Sequence, residues 1–317
     1  MSNEQTRDNL TISTRLIYNE MIASRTPVTI VSDTSNILEY SDARGDSHLL
    51  FSTCSDKSSA AGKAIADSKV KTAHIASTLN IPMPASIACR DIREARAFLA
   101  EHDMIVIKPA RGSSGGGVST DIRTDPPLLH AYNYAKKYSH TILAQQHIVG
   151  DDVRLLVVGG VFCSAVIRQP AHVVGDGSSS IQQLISYANA DISRNDTTIS
   201  SLMHINIHAA RRFLGESINT IPRRGSEVRV VGPANVSLGG SLHEATSVVT
   251  PAMVVDAEKI TNKLGLGVCG VDMMWDRKTG KHYLIEVNAT PGIDIHDDTF
   301  SGTSSNAARK YVQWLVQ

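Results

Sequence analysis

The chain has 317 residues and a mass of 34.1 kDa, with 31 Lys+Arg balanced by 31 Asp+Glu. A net charge near zero argues against a general nucleic-acid binder, which needs a basic excess or patch, and no stretch approaches the ~20 apolar residues of a membrane span. With 42% hydrophobic and 20% charged residues, the composition is that of a soluble globular protein large enough for two or three subdomains.

Residues Met1–Thr14 are polar and lack the apolar core of a signal peptide. Cys54, Cys89, Cys163 and Cys269 are widely spaced, with no Cys-x-x-Cys pair, which predicts reduced packing thiols in a cytoplasmic protein. Leu16, Ile17, Met21 and Ile22 give Arg15–Ala23 helical spacing. Val28–Ser32 and Leu49–Phe51 read as short strands, so about the first 65 residues suggest a small α/β unit. Val70–Leu79 reads as a helix stopped by Asn80-Ile-Pro82, and Ala95–Ala100 ends a second one. Met104–Lys108 is a buried strand leading through Pro109 into a glycine-rich loop. His140–Ala144, Val153–Gly159 and Val161–Gln169 read as strands and Ser180–Ala190 as a helix. Ser193–Arg229 is polar at first and then mixed, without a periodicity. Thr250–Leu264 is a helix because Met253, Val254, Ala257, Ile260 and Leu264 share a face; strands follow at Val268–Met274 and around Tyr283–Asn288, and Asn306–Val316 closes the chain as a helix. No internal repeat or long linker is present, so the subdomains are expected to share one body.

Several segments carry chemistry. Along Tyr283-Leu-Ile-Glu286-Val-Asn288, alternation puts Glu286 and Asn288 on one face about 7 Å apart, and the strand Val268–Met274 carries Asp272 amid apolar neighbours. These are hard oxygen ligands of the kind Mg²⁺ takes beside nucleotide phosphates. The loop Arg111-Gly112-Ser113-Ser114-Gly115-Gly116-Gly117-Val118 follows the strand that ends in Lys108. Its consecutive glycines let backbone amides approach phosphate oxygens. It is not a Walker A loop, and the strand-like Gly117-Val-Ser-Thr-Asp-Ile after it disfavours a Rossmann fingerprint. Arg168 ends an apolar strand and Arg154 lies on the preceding one; arginines among apolar residues point either to an anion or to a structural ion pair. Gln145-Gln146-His147-Ile148-Val-Gly150-Asp151-Asp152 is a strand running into an acidic turn, a place where backbone groups can meet an adenine edge and an acid can meet ribose hydroxyls; a plain strand end with solvated acids is the alternative. Lys69, at a helix start, reads in isolation as a solvated charge. Of the 12 histidines, His172, His243 and His296 lie near glycine or acidic clusters, but these three lack metal-ligand spacing, and no Gly-x-Ser-x-Gly elbow supports a serine nucleophile.

Taken in order, Lys69-x-x-Thr72, Leu79-Asn-Ile-Pro82-Met-Pro84, Ile107-Lys108-Pro109 with its loop, Gly150-Asp-Asp152-Val-Arg154, Arg168-Gln-Pro-Ala-His-Val-Val-Gly-Asp-Gly177, Asn235-Val-Ser237-Leu-Gly239-Gly240, Gly270-Val-Asp272, Glu286-Val-Asn288-Ala, Pro291-Gly292 and His296 resemble an ATP-grasp carboxylate–amine ligase. The likeness is to the ATP-grasp modules of cyanophycin synthetase and of the bifunctional glutamate–cysteine ligase/glutathione synthetase, from about Ile17 to Leu315. It implies an α/β fold with α+β subdomains: a small N-terminal α/β domain (1–68), a mobile lid (69–146) and a C-terminal mixed-sheet, metal-binding domain (147–317). It also implies roles. Lys69 and Lys108 meet ATP phosphates or adenine, Gly112, Ser113, Ser114, Gly115, Gly116 and Gly117 form the lid loop, Gln145, Gln146, His147 and Ile148 hold adenine, and Asp152 holds ribose. Asp272, Glu286 and Asn288 bind Mg²⁺, two ions in all, with Mn²⁺ as an alternative. Arg168 clamps the γ-phosphate and acyl phosphate, Arg154 supports it, and Asn235 lies near the acyl-phosphate pocket. The implied reaction activates the carboxylate of an amino acid or small peptide as an acyl phosphate and joins it to an amine; a small-molecule kinase and a non-catalytic ATP-binding protein are the alternatives.

Three departures fall on or near the substrate side. Gln145 stands where a glutamate is common. Val231 stands where an arginine is expected, with Arg229 two residues away. Ser193–Thr198 replaces an Arg-Arg-Gly-x-Gly segment. The other domains of the named relatives have no counterpart here, so the chain is read as a stand-alone module, with no nucleic-acid or membrane partner. A homo-oligomer is compatible with the sequence but specified by none of its features.

Overall fold

The computed structural model describes residues 7–111, 116–191, 203–232, 234, 236–297 and 304–317. Helix α1 (Ile12–Ala23) precedes a four-stranded sheet, β1 (Val28–Ser32), β2 (Ile37–Ser41), β3 (Ser47–Phe51) and β4 (Cys54–Ser55), paired in sequence order. All its pairings are antiparallel. Alternation decides the faces: Leu38, Tyr40 and Leu50 point inward and are buried, while Glu39, Leu49 and Phe51 point to solvent. The N-terminal unit is thus a helix on an antiparallel meander, an α+β arrangement; the sequence expectation lacks β2 (Ile37–Ser41) and the two-residue β4.

Helices α2 (Ala60–Ala66) and α3 (Lys69–Thr78) lead into the second sheet, made of β5 (Ser86–Cys89), β6 (Ile105–Pro109), β7 (Ser119–Ile122) and β8 (Ile142–Gln146) in the order β5-β8-β6-β7, with α4 (Ile92–Glu101) and α5 (Asp125–Ala135) between its strands. Its core consists of Ala95 and Phe98 from α4, Leu128, Ala131 and Tyr132 from α5, and Ile105, Ile107, Ile142 and Ala144 from the strands. Asp91 caps α4 by accepting from Arg93 N and Glu94 N. Two prolines in the first turn of α5 suit a helix start, where the missing N–H has no partner to lose. Ala76 of α3 and Ile81 pack into a different core, so the packing of this lid begins at β5, after the helix that carries Lys69.

The third sheet holds β9 (Asp151–Val158), β10 (Val161–Gln169), β13 (Ser241–Glu244), β14 (Val268–Asp276) and β15 (Lys281–Asn288), in the order β13-β10-β9-β14-β15. Between β10 and β13 the chain makes an insert with β11 (His172–Val174), α6 (Ile181–Asn189), α7 (Ile207–Leu214) and β12 (Glu227–Arg229). Ala171, Val173, Ile185, Ile205, Ala210, Val230 and Val231 give this insert its own small core, and Ser180 opens α6 with a capping box to Gln183. Helix α8 (Pro251–Leu264) covers one face of the large sheet; α9 (Asp294–Asp297) and α10 (Ala307–Leu315) end the chain.

Strand β9 shows how the sheet makes room for a site. Val153, Leu155 and Val157 point to the face covered by Met253, Ala257, Ile260 and Leu264 of α8. Leu156 and Val158 point to the other face, against Ile17 and Met21 of α1, the N-terminal sheet, and Tyr311 and Leu315 of α10. Further along that second face the alternation continues as Arg154 and Asp152, where the apolar cover gives way to a cleft. Leu155 is fully buried in the α8-side core whereas Leu49 is 52% exposed. Leu155→Ala is therefore expected to cost about 2–5 kcal/mol and Leu49→Ala within about 0.5 kcal/mol, read as the shift in urea midpoint at constant slope.

Candidate functional site

Register builds the site from four strands. Asp272 on β14 lies opposite Arg154 on β9 and Glu286 on β15; Arg168 on β10 lies opposite Asp152; Asn288 lies opposite Gly270. These side chains share the face left open beyond Leu156. Gly270 keeps it passable: a Cβ there would come within 3.0 Å of Pro291 Cβ and 3.4 Å of Arg154 Nε.

The centre is an ion network. Arg154 donates from Nε and Nη2 to both oxygens of Asp272, at 2.6 and 2.7 Å. Arg168 Nη2 reaches Asp272 Oδ2 at 3.0 Å, and Arg168 also donates from Nε and Nη2 to Asp152 Oδ1 at 3.0 and 2.5 Å. Asp272 is only 2% exposed. Burial pushes its carboxyl up, but the two guanidiniums outweigh burial and hold it well below the usual carboxylate range. Arg168 is likewise kept charged: burial opposes the charge, and Asp152 and Asp272 more than restore it. Pairs this deeply placed are costly to break, because removing one partner strands the other's charge.

A second pair of cations lies on the lid side. Lys69, first residue of α3, reaches Glu286 Oε2 at 3.0 Å. Lys108 on β6 is 4% exposed and donates from Nζ to Gln145 Oε1 at 2.7 Å. Burial, then repulsion from Lys69, lowers its ammonium to about 8, against a partial pull upward from Glu286. The linker after β8 is fixed by backbone bonds, Gln146 N to Ala85 O at 2.8 Å and His147 N to Met104 O at 3.0 Å. Gly116 and Gly117 pack on the Tyr138 ring; Gly117 has φ +74°, and a Cβ there would lie 2.8 Å from that ring, so only glycine fits. The loop residues Gly112, Ser113, Ser114 and Gly115, the Ser193–Thr198 segment and Asn235 lie outside the described residues.

These groups line a single cleft of about 820 Å³. It brings together Lys69, Lys108, Gly116, Gln145, Gln146, His147, Ile148, Asp152, Arg154, Arg168, Asp272, Glu286 and Asn288. The lining also includes polar residues to which the sequence assigns no site role, among them Asp121, Gln169, Arg229 and Arg277. Arg229 lies over the Phe213 ring, donates from Nε to Val231 O at 3.0 Å, and pairs with Asp121 Oδ2 of the lid at 3.3 Å. Val231 is itself buried in the insert core, so the arginine near this place projects from two residues earlier. Asp121 also approaches His147 Nδ1 at 3.4 Å and holds φ +61°. Arg277 pairs closely with Asp151 and lies 4.6 Å over the Trp275 ring. No local spacing announces the Arg229–Asp121 pair, because it joins strands from separate sheets. His243 also lines the cleft and bonds Gln169 Oε1 at 3.1 Å and Ser241 Oγ at 3.0 Å. His296 is 1% exposed and sits behind the network with Nδ1 3.0 Å from Ser164 Oγ. Burial, reinforced by Arg154, pushes its imidazole down to about 3, so it stays neutral.

The donor chemistry fits a hard divalent cation: Asp272 and Glu286 supply carboxylates and Asn288 an amide oxygen from one face. An ion there would take Asp272 and Glu286 oxygens now held by Arg154, Arg168 and Lys69. Among the described residues no group of three or more His, Cys, Asp or Glu could hold a metal.

A small antiparallel lid over a larger sheet with this charged face is the ATP-grasp architecture. Residues 69–244 match the model of the prokaryotic glutathione synthetase ATP-grasp domain, and the chain belongs to that family. It is 30% identical to the cyanophycin synthetase of Trichormus variabilis over 275 residues, covering 83% of this chain and 30% of the relative. It is 28% identical to the glutathione biosynthesis bifunctional protein of Clostridium perfringens, covering 97% and 41%. The crystal structure of a bifunctional glutathione synthetase from Pasteurella multocida superposes with a TM-score of 0.68 at 23% identity, covering 98% of this chain and 44% of that one. The chain thus spans well under half the length of these relatives.

Lys108 makes the site's electrostatics measurable. Its native value of about 8 lies below its ordinary 10.5, so between the two the unfolded chain holds the proton more tightly. Native stability should therefore rise with pH through that window. Lys108→Met should flatten the rise. Gln145→Glu, by adding a carboxylate beside the ammonium, should shrink it. Unfolding free energies of the three proteins from pH 7 to 10.5 check this; parallel curves would contradict it.

Proposed function

We propose that this chain is an ATP-dependent carboxylate–amine ligase acting on an amino acid or small peptide. The observation that carries the reading is the convergence, in one cleft, of two lysines, two arginines and three hard oxygen donors between the lid and the large sheet. That is the complement of a transferring phosphoryl group, whose catalysis is mostly positioning and charge neutralisation.

Gln145, Gln146, His147 and Ile148 face adenine. Asp152 faces ribose; Arg168 bonds its Oδ1, and its other oxygen has no protein partner among the described residues. Lys69 and Lys108 meet the phosphates. Asp272, Glu286 and Asn288 would hold Mg²⁺, as two ions, which screens the phosphates and polarises the reacting phosphorus. The substrate carboxylate attacks the γ-phosphorus, its oxygen forming the new P–O bond while the bond to ADP breaks. Arg168, oriented by Asp152 and Asp272, holds the resulting acyl phosphate, and Arg154 fixes Asp272. An amine then attacks the acyl carbon, the C–O bond to phosphate breaks, and the amine's proton leaves as the amide forms. The lid excludes water from the acyl phosphate during the interval. No helix among the described residues is long and apolar enough to cross a membrane; four free cysteines, three of them buried, support a reducing, cytoplasmic setting.

The test mixes protein, ATP and Mg²⁺ with pools of amino acids and dipeptides. A product equal to two components minus water, with matching ADP and phosphate, is expected. ADP with a stably phosphorylated product and no condensation would overturn the ligase reading in favour of a kinase. Glu286→Gln should lower ADP formation by at least about 100-fold with little change in thermal midpoint, since Glu286 is partly exposed; an active variant would overturn the metal assignment.

A further inference from the structure

Gln145 sits at the inner end of the linker assigned above to the nucleobase, and the following inference rests on that assignment. The residue is 5% exposed and lines the cleft. Its primary amide has one acceptor oxygen and a nitrogen with two donor hydrogens. Lys108 Nζ can only donate, so the 2.7 Å contact commits Gln145 Oε1 to the lysine. Lys108 cannot easily turn away: it is buried, and its strand pairs with β8 at Leu143. The orientation of the amide is therefore set, and the nitrogen points away from Lys108. That nitrogen has no protein partner among the described residues, and it is not among the side-chain atoms sealed from solvent without a partner, so it faces the open cleft.

A carboxylate at this position would present acceptors alone. It would match a base whose 6-substituent donates, as the adenine amino group does. An amide with its oxygen already committed presents a donor instead. It matches a base whose 6-substituent accepts, as the oxo group of hypoxanthine or guanine does. Against an adenine amino group the two N–H dipoles oppose each other, leaving the linker backbone to supply the acceptor. A buried donor left without a partner is penalised, and polar edges of this kind discriminate between bases more strongly than apolar walls do.

We propose that Gln145 is a base-specificity residue that admits 6-oxopurine nucleoside triphosphates, so that this chain uses inosine or guanosine triphosphate as well as ATP. Lys108 acts as the positioning residue that fixes the amide.

The test is calorimetric titration of the full chain with Mg-ATP and with Mg-ITP, which differ only at the 6-position and its neighbouring ring nitrogen; Mg-GTP serves as a third probe. For the natural chain, Kd values for ATP and ITP within about tenfold of one another are expected. Gln145→Glu should move the ITP/ATP ratio of Kd upward by about tenfold or more. The ratio is the readout because the added charge alters Lys108 equally for both ligands. Gln145→Met, which keeps the length and removes the donor, should move the ratio the same way by less, and serves if the glutamate variant misfolds. ATP binding more than a hundredfold tighter than ITP in the natural chain, or a ratio unchanged by both substitutions, would overturn the proposal while leaving the nucleotide site standing. Binding of no triphosphate at all would overturn the nucleotide reading and this inference with it.

Discussion

The site depends on a buried carboxylate shared by two guanidiniums. Asp272 alone on its strand would be an isolated charge with almost no solvent; Arg154 and Arg168, from the two strands next along the sheet, make it tolerable. In return it fixes both guanidiniums by hydrogen bonds, and a fixed guanidinium is what a phosphoryl group requires, since no reorganisation is then needed as charge develops. The arrangement needs the register of three antiparallel strands to be correct, and that register is secured elsewhere: by Val153, Leu155 and Val157 against α8 on one face, and by Leu156 and Val158 against the N-terminal unit and α10 on the other. The apolar body of the sheet thus holds the polar end in place, and a slip of one residue would turn Arg154 into the core.

Around this fixed floor the remaining parts are joined by weaker, more exposed contacts. Arg229 of the insert meets Asp121 and Thr120 of the lid, and Arg212 lies 4.9 Å over the Tyr134 ring of α5. Part-exposed pairs of this kind contribute on the order of 1 kcal/mol or less each. They can open at little cost, which suits a cleft that has to admit substrates and then exclude water. The lid and the insert each carry a core of their own, so either can move against the floor without unfolding.

Much of the floor is legible in the sequence because it depends on local rules. Glu286 and Asn288 sit two apart on an apolar strand, Lys108 ends another, and Asp272 is an acid where an apolar residue would otherwise be. What is not legible is pairing between distant segments. Arg154 and Arg168 could be recognised as costly among apolar neighbours, but not that Asp272 and Asp152 were their partners; that depends on β9 lying between β10 and β14. The last strand of the N-terminal meander is only two residues long, and helix α5 was hidden by its opening prolines. Apart from helix α6, which its spacing announces, the insert was unreadable because its core draws single residues, such as Ala171, Ile205 and Val231, from segments far apart in sequence. Arg229 and Asp121 meet only through tertiary contact, so no spacing could announce them. The glutamine at 145 could be seen as a departure, yet what it does depends on Lys108 holding its oxygen.

The central claim is that the charged floor activates a carboxylate by phosphoryl transfer. The most direct test uses a carboxylate substrate, identified by the pooled assay, labelled with ¹⁸O in both carboxyl oxygens. Attack of the carboxylate on the γ-phosphorus leaves one of those oxygens on the phosphate when the amine displaces it. The account predicts one ¹⁸O in inorganic phosphate for every amide formed, with ADP as the nucleotide product. Amide formation with unlabelled phosphate, or with label appearing in AMP, would contradict it.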